Sequence, residues 1–387
     1  MAVALASCRF GLRACRSLCQ RSHTLTRPRS LWSASDVPAP RSSHAVASFH
    51  KGQASDGALF VFGGEDRPRH AFDSRVHRRD AHGKWAVSDV AAPSPAPLLG
   101  CGAVGVGQFL YIFGGRTGGT VSFGQEEDNL VSGESGALLA FDVLAERWEL
   151  IDAPGPEARS FHTMAVVEDK VVVYGGCGAQ GRLNDLWLFD PVLRGWSLLN
   201  DGKSEGSPRA KGGSSLLPLH GIGGDLLLLF GFNGEQLGEV HHFNASAGTW
   251  LDVTHLQRGD VPSPRSVFAS ASRQAPGTSS PRAACEVFVL GGELEPSDQG
   301  HEGAGAFTDE IYTLTVGQSS GEGFDYTWQR CEAGGEGAHG LAGEARGWHA
   351  SAVVEGGPLG QHVVAFGGLT GDNRRLNETQ VLPLPRR

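Results

Sequence analysis

Three side chains suited to metal binding lie close together in the segment from Gly291 to Glu310. Glu293, Asp298 and His301 supply two carboxylates and one imidazole. Iron(II) or another divalent first-row cation accepts this mixture, and three protein ligands leave coordination positions open for a substrate. Calcium fits less well, because the Asp-x-Asp-x-Asp-Gly spacing of an EF-hand is absent. The alternative is a solvated acidic loop, since loops are usually polar for ordinary reasons.

Two arginines and two aromatic residues could bind the rest of a small anionic ligand. Arg116 directly follows a glycine pair, and Arg182 lies in a Gly-Arg-Leu-Asn loop. Two guanidinium groups in neighbouring loops form a fork for sulfate, phosphate or carboxylate. Phe161 and Trp348 occupy similar places after two of the recurring arginines. The alternatives are surface arginines that pair with the many acids, and aromatic rings that pack between structural units.

A recurring sequence unit indicates which elements would position these side chains. Each unit opens with an arginine near a histidine or aromatic residue, continues as an apolar strand that ends in glycine, and closes with a tryptophan. Six such units of about 50 residues have the kelch period and predict an all-β, six-bladed kelch β-propeller. The openings include Pro40-Arg41 and Pro208-Arg209, the glycine signals include Gly63-Gly64 and Gly367-Gly368, and the closing tryptophans are Trp85, Trp148, Trp196, Trp250 and Trp328.

The last unit lacks a closing tryptophan, whereas the chain has an unmatched Trp32 before the first unit. We therefore predict that a strand near Trp32 closes the ring by completing the last blade. His44, His162 and His349 recur at the unit openings, and this periodicity indicates a structural role and not metal binding.

The first 30 residues differ in composition from the remainder, so we divide the chain into a leader (1–30) and a propeller (31–387). The leader carries six arginines and no acid, which is typical of an organelle transit peptide for a mitochondrion or plastid. A disordered tail on a cytoplasmic protein is the alternative. Removing six arginines and no acid from a net charge of −9 leaves −15, which disfavours nucleic-acid binding. No apolar run is long enough to span a membrane.

Several motifs give the chain a closer resemblance within kelch proteins. The Phe-Gly-Phe-Asn-Gly sequence at 230–234, the Arg-Ser-Val-Phe-Ala-Ser-Ala string at 265–271, Gly-Gly-Glu at 291–293 and Arg-Gly-Trp at 346–348 occur in this order. From about Trp32 to the C-terminus, the sequence resembles the nitrile-specifier, epithiospecifier and thiocyanate-forming proteins. That family acts with iron(II) on the thiohydroximate-O-sulfate released when a thioglucosidase cleaves a glucosinolate, and diverts it from isothiocyanate towards nitriles and related products.

The resemblance assigns roles to individual residues. It implies that Glu293 and His301 are iron ligands, that Arg116 and Arg182 contact the sulfate, and that Phe161 and Trp348 face the substrate. The family's plant members space the three metal ligands four and four residues apart. Here Ser297 occupies the middle position, and Asp298 follows one residue later.

Three functions are consistent with these features. The first is an iron-dependent, lyase-like specifier protein that acts downstream of a thioglucosidase. The second is a non-catalytic propeller whose loop face binds a protein partner. The third is an organellar relative that uses the same site for another anionic organosulfur compound.

Overall fold

Short antiparallel strands form the whole framework of the computed structural model. It describes residues 32–49, 52–53, 57–88, 90, 94–117, 133–276, 284–319, 323–331 and 343–384. These residues belong to one unit that spans Leu31–Arg387. The predicted leader at 1–30 lies outside the described residues. Helix within the described ranges is limited to two 3₁₀ turns, Thr254–Leu256 and Gly300–Glu302. No helix in this part of the chain has the length and apolar character needed to cross a bilayer.

Six sheets follow one another along the chain, and they confirm the predicted all-β, six-bladed propeller. Blade one consists of Ala45–Ser48, Leu59–Phe62, Val76–Arg79 and Trp85–Ser88. Blade two consists of Gly102–Val106, Phe109–Phe113, Leu138–Asp142 and Arg147–Ile151. Blade three consists of Thr163–Val167, Lys170–Gly178, Gly181–Asp190 and Gly195–Asn200. Blade four consists of Ser215–Pro218, Leu226–Phe232, Gln236–Asn244 and Thr249–Asp252. Blade five consists of Ala269–Gln274, Ala284–Leu290, Ile311–Gln318 and Phe324–Arg330. Blade six consists of Ala350–Val354, His362–Phe366 and Thr379–Pro383.

Short strands supplement this framework. Trp32–Ala34 and Gln257–Gly259 add outer strands to blades one and five, and Arg159–Ser160 pairs within blade three. Three small pairs lie between blade strands: Glu65–Arg67 with His70–Ala71, Glu293–Glu295 with Ala306–Phe307, and Arg346–Gly347 with Leu369–Thr370.

An apolar core lies between every two neighbouring blades, including blades six and one. The alternating apolar residues of each strand supply both faces of a sheet, so a blade buries itself only against its neighbours. Each closing tryptophan packs between blades. Trp196, for example, lies 5.3 Å from the ring of Phe113 in the preceding blade, and Trp85 lies 5.2 Å from Phe366 across the ring closure.

The recurring arginines are structural. Four of them are buried. Each of their guanidinium groups donates hydrogen bonds to a carboxylate and to the carbonyl of the first glycine in the glycine pair of its own blade. These sets are Arg41 with Gly63 and Asp73, Arg159 with Gly175 and Asp185, Arg265 with Gly291 and Glu310, and Arg346 with Gly367 and Glu378. Buried charge is tolerated here because it is paired and hydrogen bonded.

Six consecutive backbone hydrogen bonds form a closed ring at the start of the innermost strands. Each donor is the second residue after the recurring arginine position, and each acceptor is the equivalent residue of the preceding blade. The members are Ser43, Gly100, Phe161, Gly213, Val267 and Trp348, with N–O distances of 2.7–3.0 Å. All six have φ between 47° and 61°. We call this set the left-handed ring; four of its members carry side chains in a conformation that favours glycine.

Two sequence predictions about the fold are wrong in detail. Trp32 does not complete the last blade: its strand pairs with Trp85–Ser88 on the outer edge of blade one. The indole N–H donates to the Val143 carbonyl at 3.4 Å, and the ring packs on Phe141, so blade two holds the strand in place. In blade four, the position of the recurring buried arginine is occupied by Lys211 and not by Arg209. The Lys211 carbonyl accepts a hydrogen bond from Gly176 N–H, as the carbonyls of the recurring arginines do from the corresponding glycines, and Lys211 is buried.

Candidate functional site

Phe161 and Trp348 meet because both belong to the left-handed ring. Their ring centroids lie 5.4 Å apart with an edge-to-face geometry. Their positive φ values, 53° and 57°, place non-glycine residues in an unfavourable conformation that the surrounding hydrogen bonds maintain. Strain of this kind concentrates at binding and active sites. The similar unit positions noted in the sequence therefore correspond to one shared structural site.

A cavity of about 390 Å³ lies against this pair. Most of its lining is apolar, with one arginine, one carboxyl group and one imidazole. Its walls are Phe161, Cys177, Arg182, Phe232, Val267, Glu293, Pro296, Ser297, His301 and Trp348, with backbone from Gly212, Gly213, Ser266 and Gly300. Its size and its few polar groups suit a small organic ligand.

Glu293 is the buried acid of the cavity. It directly follows the glycine pair of blade five, and its backbone is bridged to Ser266. Burial raises the pKa of Glu293 to about 7, and a hydrogen bond from Gln236 Nε2 at 3.3 Å acts in the opposite direction. Near neutral pH the carboxyl group therefore exists in both protonated and charged forms, which reduces its repulsion of an anionic ligand.

His301 forms a small aromatic cluster with the ring pair. Its imidazole stacks on Phe161 at 5.7 Å with an interplanar angle of 16°, and it contacts the edge of Trp348 at 5.4 Å. The side chain reaches solvent, but protein surrounds most of the imidazole. Desolvation lowers the pKa of His301, and the charge of Glu65 acts in the opposite direction.

Asp298, the third predicted metal ligand, is exposed and does not line the cavity. Throughout the described ranges, no group of three or more His, Cys, Asp or Glu side chains is arranged to hold a metal ion. The structure thus places Glu293 and His301 at one cavity without the third carboxylate. The donors present do not complete the predicted iron site.

The two predicted arginines lie in different cavities. Arg182 lines the large cavity, where its guanidinium stacks over Phe232 at 5.0 Å. Arg116 lines a small space of about 10 Å³, and it pairs with Glu134 at 3.3 Å. Phe161 and His301 line both the large cavity and the small space. The fork formed by the two arginines stays a prediction.

The sequence did not identify several wall residues, among them Cys177, Phe232 and Val267. Cys177 and Phe232 directly follow the glycine signal of their blades, as Arg116 and Glu293 do in theirs. Val267 is the ring residue of blade five. An alignment of all six units at the glycine pair and at the ring position would have identified them, because equivalent positions in a propeller face the same mouth.

The fold and site define a kelch-repeat propeller with a walled cavity at one mouth. The chain belongs to the kelch family described as the KLHDC2/KLHL20/DRC7 Kelch-repeats domain, whose profile matches residues 50–275. It is 27% identical over 364 residues to N-(sulfonatooxy)prop-2-enimidothioate sulfolyase from Thlaspi arvense, covering 88% of this chain and 92% of that protein. The resemblance to a specifier-type sulfolyase is therefore confirmed.

Other relatives share the propeller. Human Kelch domain-containing protein 3 is 25% identical over 215 residues, which are 50% of this chain and 53% of that protein. The solved structure of YjhT superimposes with a TM-score of 0.60 at 14% identity, covering 91% of this chain and 97% of that one. This structural likeness supports the fold alone.

Proposed function

We propose that the chain binds a thiohydroximate-O-sulfate, or a related anionic organosulfur compound, and directs its breakdown to nitrile-type products. The observation that carries this proposal is the cavity of about 390 Å³, in which Arg182 lies among aromatic walls beside a buried carboxyl group. The similarity to a protein named as a sulfolyase supports the same substrate class.

Arg182 is the residue best placed to act on the anion. No carboxylate forms an ion pair with it among the described residues, and its guanidinium is held over Phe232. To form a nitrile, the N–O bond breaks with its electron pair leaving on the sulfate, the C–S bond breaks with its pair forming the third C–N bond, and the thiolate sulfur is released as elemental sulfur. A guanidinium within reach of the departing sulfate stabilises the developing charge, and the stabilisation is stronger in a partly dry cavity.

The aromatic walls supply the second part of the proposal. Phe161, Trp348 and Val267 would hold an apolar substituent of the substrate and exclude water from the reacting group. Water exclusion matters because it strengthens the electrostatic effect of Arg182. Glu293, with its raised pKa, would accept an anion beside it and hold a proton near the reacting atoms.

Iron(II) enters the proposal as a prediction from the sequence resemblance. An imidazole and a carboxylate suit a first-row dication, and iron would supply a Lewis acid or electron donor for the substrate's sulfur. Glu293 and His301 are the two donors that the cavity offers. Completion of the set with Asp298 would require a different conformation of its loop.

The test is product analysis. A glucosinolate is cleaved by a thioglucosidase with and without the protein, in the presence of iron(II), and nitrile and isothiocyanate are measured by gas chromatography. We expect nitrile to rise with wild-type protein and to fall strongly with Arg182→Ala. Arg194→Ala is the matched control, because Arg194 lies in the exposed turn before Gly195–Asn200 and pairs with Glu149. Unchanged isothiocyanate output with wild-type protein would reject this activity.

Failure of that assay would leave the other two predicted functions. Binding of a different small organosulfate, without nitrile formation, would indicate an organellar relative with another substrate. Binding of no small anion would favour a scaffold whose loop face holds a protein partner.

A further inference from the structure

Blade six is one strand narrower than the other blades. Blades one to five each contain four strands of their own, whereas blade six has three within the described residues. Its last strand, Thr379–Pro383, pairs with His362–Phe366 along one edge, and no described strand pairs with its other edge. We call this other edge the blade-six edge. The unpaired backbone groups of such an edge are a template for a further strand.

The missing strand also leaves out a contact that the other blades make. In five interfaces, the tryptophan of a fourth strand packs on the aromatic ring directly before the glycine signal of the preceding blade, at 5.2–5.8 Å between centroids. These pairs are Trp85 with Phe366, Trp148 with Phe62, Trp196 with Phe113, Trp250 with Tyr174, and Trp328 with Phe230. In blade five the corresponding residue is Leu290, and the sequence after Gly368 has no tryptophan to cover it.

A notch lies at this place, beside the blade-six edge. Leu290 and Ile311 of blade five and Gln380 of the edge strand line it. It holds about 10 Å³, which is room for roughly one water molecule and not for an indole ring. An added strand would therefore be held by its backbone and by small side chains over the notch. Such binding is reversible, unlike the pairing of the permanent fourth strands.

The rim of the notch is acidic. Asp309 is exposed, and it has no ion pair among the described residues. Glu344, which is 45% exposed, pairs with Arg374, and Glu378, which is 57% exposed, pairs with the buried Arg346. Three carboxylates thus face one exposed cation. A second copy of the chain would bring two such rims together, and like charges across paired strands are unfavourable, so the rim favours a basic partner.

We propose that the blade-six edge binds an extended basic segment of a partner protein, which becomes the fourth strand of blade six. Main-chain hydrogen bonds to Thr379–Pro383 hold the segment, and its lysine or arginine side chains contact the acidic rim. No residue of the edge strand lines the cavity of about 390 Å³. This interaction therefore goes beyond the proposed function and does not depend on it.

The first experiment locates the bound strand by hydrogen–deuterium exchange of the full chain. The probe is the capped peptide Lys-Lys-Thr-Val-Thr-Val-Thr-Lys-Lys, whose core favours a strand. The control is the same peptide with both valines N-methylated, which keeps its charge and removes backbone donors. We expect the probe alone to slow exchange in Thr379–Pro383 at least about tenfold. No protection there, protection at the outer strands Arg147–Ile151 or Gly195–Asn200 instead, or equal protection by the control peptide would overturn the proposal.

The second experiment measures the affinity of the labelled probe by fluorescence anisotropy. Gln380→Lys should weaken binding at least about tenfold, because a lysine on an edge strand opposes the addition of a further, basic strand. Asp309→Asn with Glu344→Gln should weaken it about fivefold and reduce its dependence on salt. Leu198→Lys, at a 49% exposed residue on the outer strand of blade three, is the control and should match wild type.

Thermal melting confirms that the Gln380 variant is folded, and the double charge variant tests the same surface if it is not. Unchanged affinity in the folded variants would overturn the proposal. Sedimentation of the protein alone distinguishes a second copy as the occupant. Self-association that Gln380→Lys abolishes would assign the edge to a dimer and would also overturn it.

Discussion

A buried histidine at the unit opening allows a quantitative prediction about stability and pH. The ring of His162 lies 5.3 Å from Phe113 in an edge-to-face contact. In blade five the equivalent residue is Phe268, whose ring lies 5.5 Å from Phe230 with similar geometry. A phenylalanine therefore fits this position elsewhere in the same protein, and His162→Phe replaces an ionisable ring with a neutral one of related shape.

The magnitude follows from the shift in pKa. Burial, followed by the charge of Arg159, lowers the pKa of His162 from 6.5 to about 3. Between these values the unfolded chain binds a proton that the folded chain does not, so stability falls as pH decreases below about 6.5. One such group changes the free energy of unfolding by about 1.4 kcal/mol per pH unit, which amounts to about 2 kcal/mol at pH 5.

Urea unfolding at pH 7.5 and pH 5.0 measures this effect. We expect His162→Phe to lose about 2 kcal/mol less than wild type between the two pH values. Any packing cost of the new ring is the same at both pH values and cancels in the difference. His82→Asn, which removes an exposed histidine, is the control and should follow wild type. Equal losses in wild type and His162→Phe would refute the reasoning, because they would mean that His162 binds its proton equally well in the folded state.

Three further predictions concern the site and the framework. Phe161→Gly should change the free energy of unfolding by less than about 1 kcal/mol, because glycine adopts the positive φ without strain and this gain offsets the lost ring contacts. The same substitution should weaken phenyl sulfate binding about tenfold, because it removes an aromatic wall of the cavity. Calorimetry with unchanged affinity would remove Phe161 from the site. In anaerobic titration, Glu293→Ala should abolish any iron(II) binding while Asp298→Ala leaves it intact, because only Glu293 faces the cavity; iron loss in the Asp298 variant would contradict this. Asp185→Ala should cost about 3–5 kcal/mol in urea unfolding because it leaves a buried arginine unpaired, whereas Glu149→Ala at an exposed pair should cost less than about 1 kcal/mol.

The repeat made the propeller predictable, because each unit carries the same local signals. The glycine pair marks a close backbone approach: a side chain at Gly64 would meet the carbonyl oxygen of Ser42 at 2.8 Å. The partner of an isolated strand was not predictable. Trp32 is placed by contacts with Phe141 and Val143 of blade two, which lie more than 100 residues away in sequence. In blade four, Arg209 resembles its counterparts in sequence, but its side chain is 50% exposed, and Lys211 fills the buried position.

The site was predictable to the extent that it repeats. Phe161 and Trp348 share a unit position in opposite blades, and their side chains meet across the ring. The hairpin that directly follows the glycine pair of blade one, from Glu65 to Ala71, is much shorter than the hairpin from Glu293 to Phe307, whose path depends on contacts with three other blades. For this reason the sequence spacing of Asp298 did not reveal that the residue is exposed and does not line the cavity.

The left-handed ring has a consequence for how such a protein can change over evolution. Its six bonds join peptide groups, which substitution of a side chain does not remove. The relative positions of the six blades are thus fixed by atoms common to all residues, while the groups that face a ligand belong to side chains. Mutation can exchange the cavity walls without moving the frame that aims them. New ligand preferences can therefore arise in this architecture by single substitutions at the four ring positions that already carry side chains, without loss of the hydrogen bonds that join the blades.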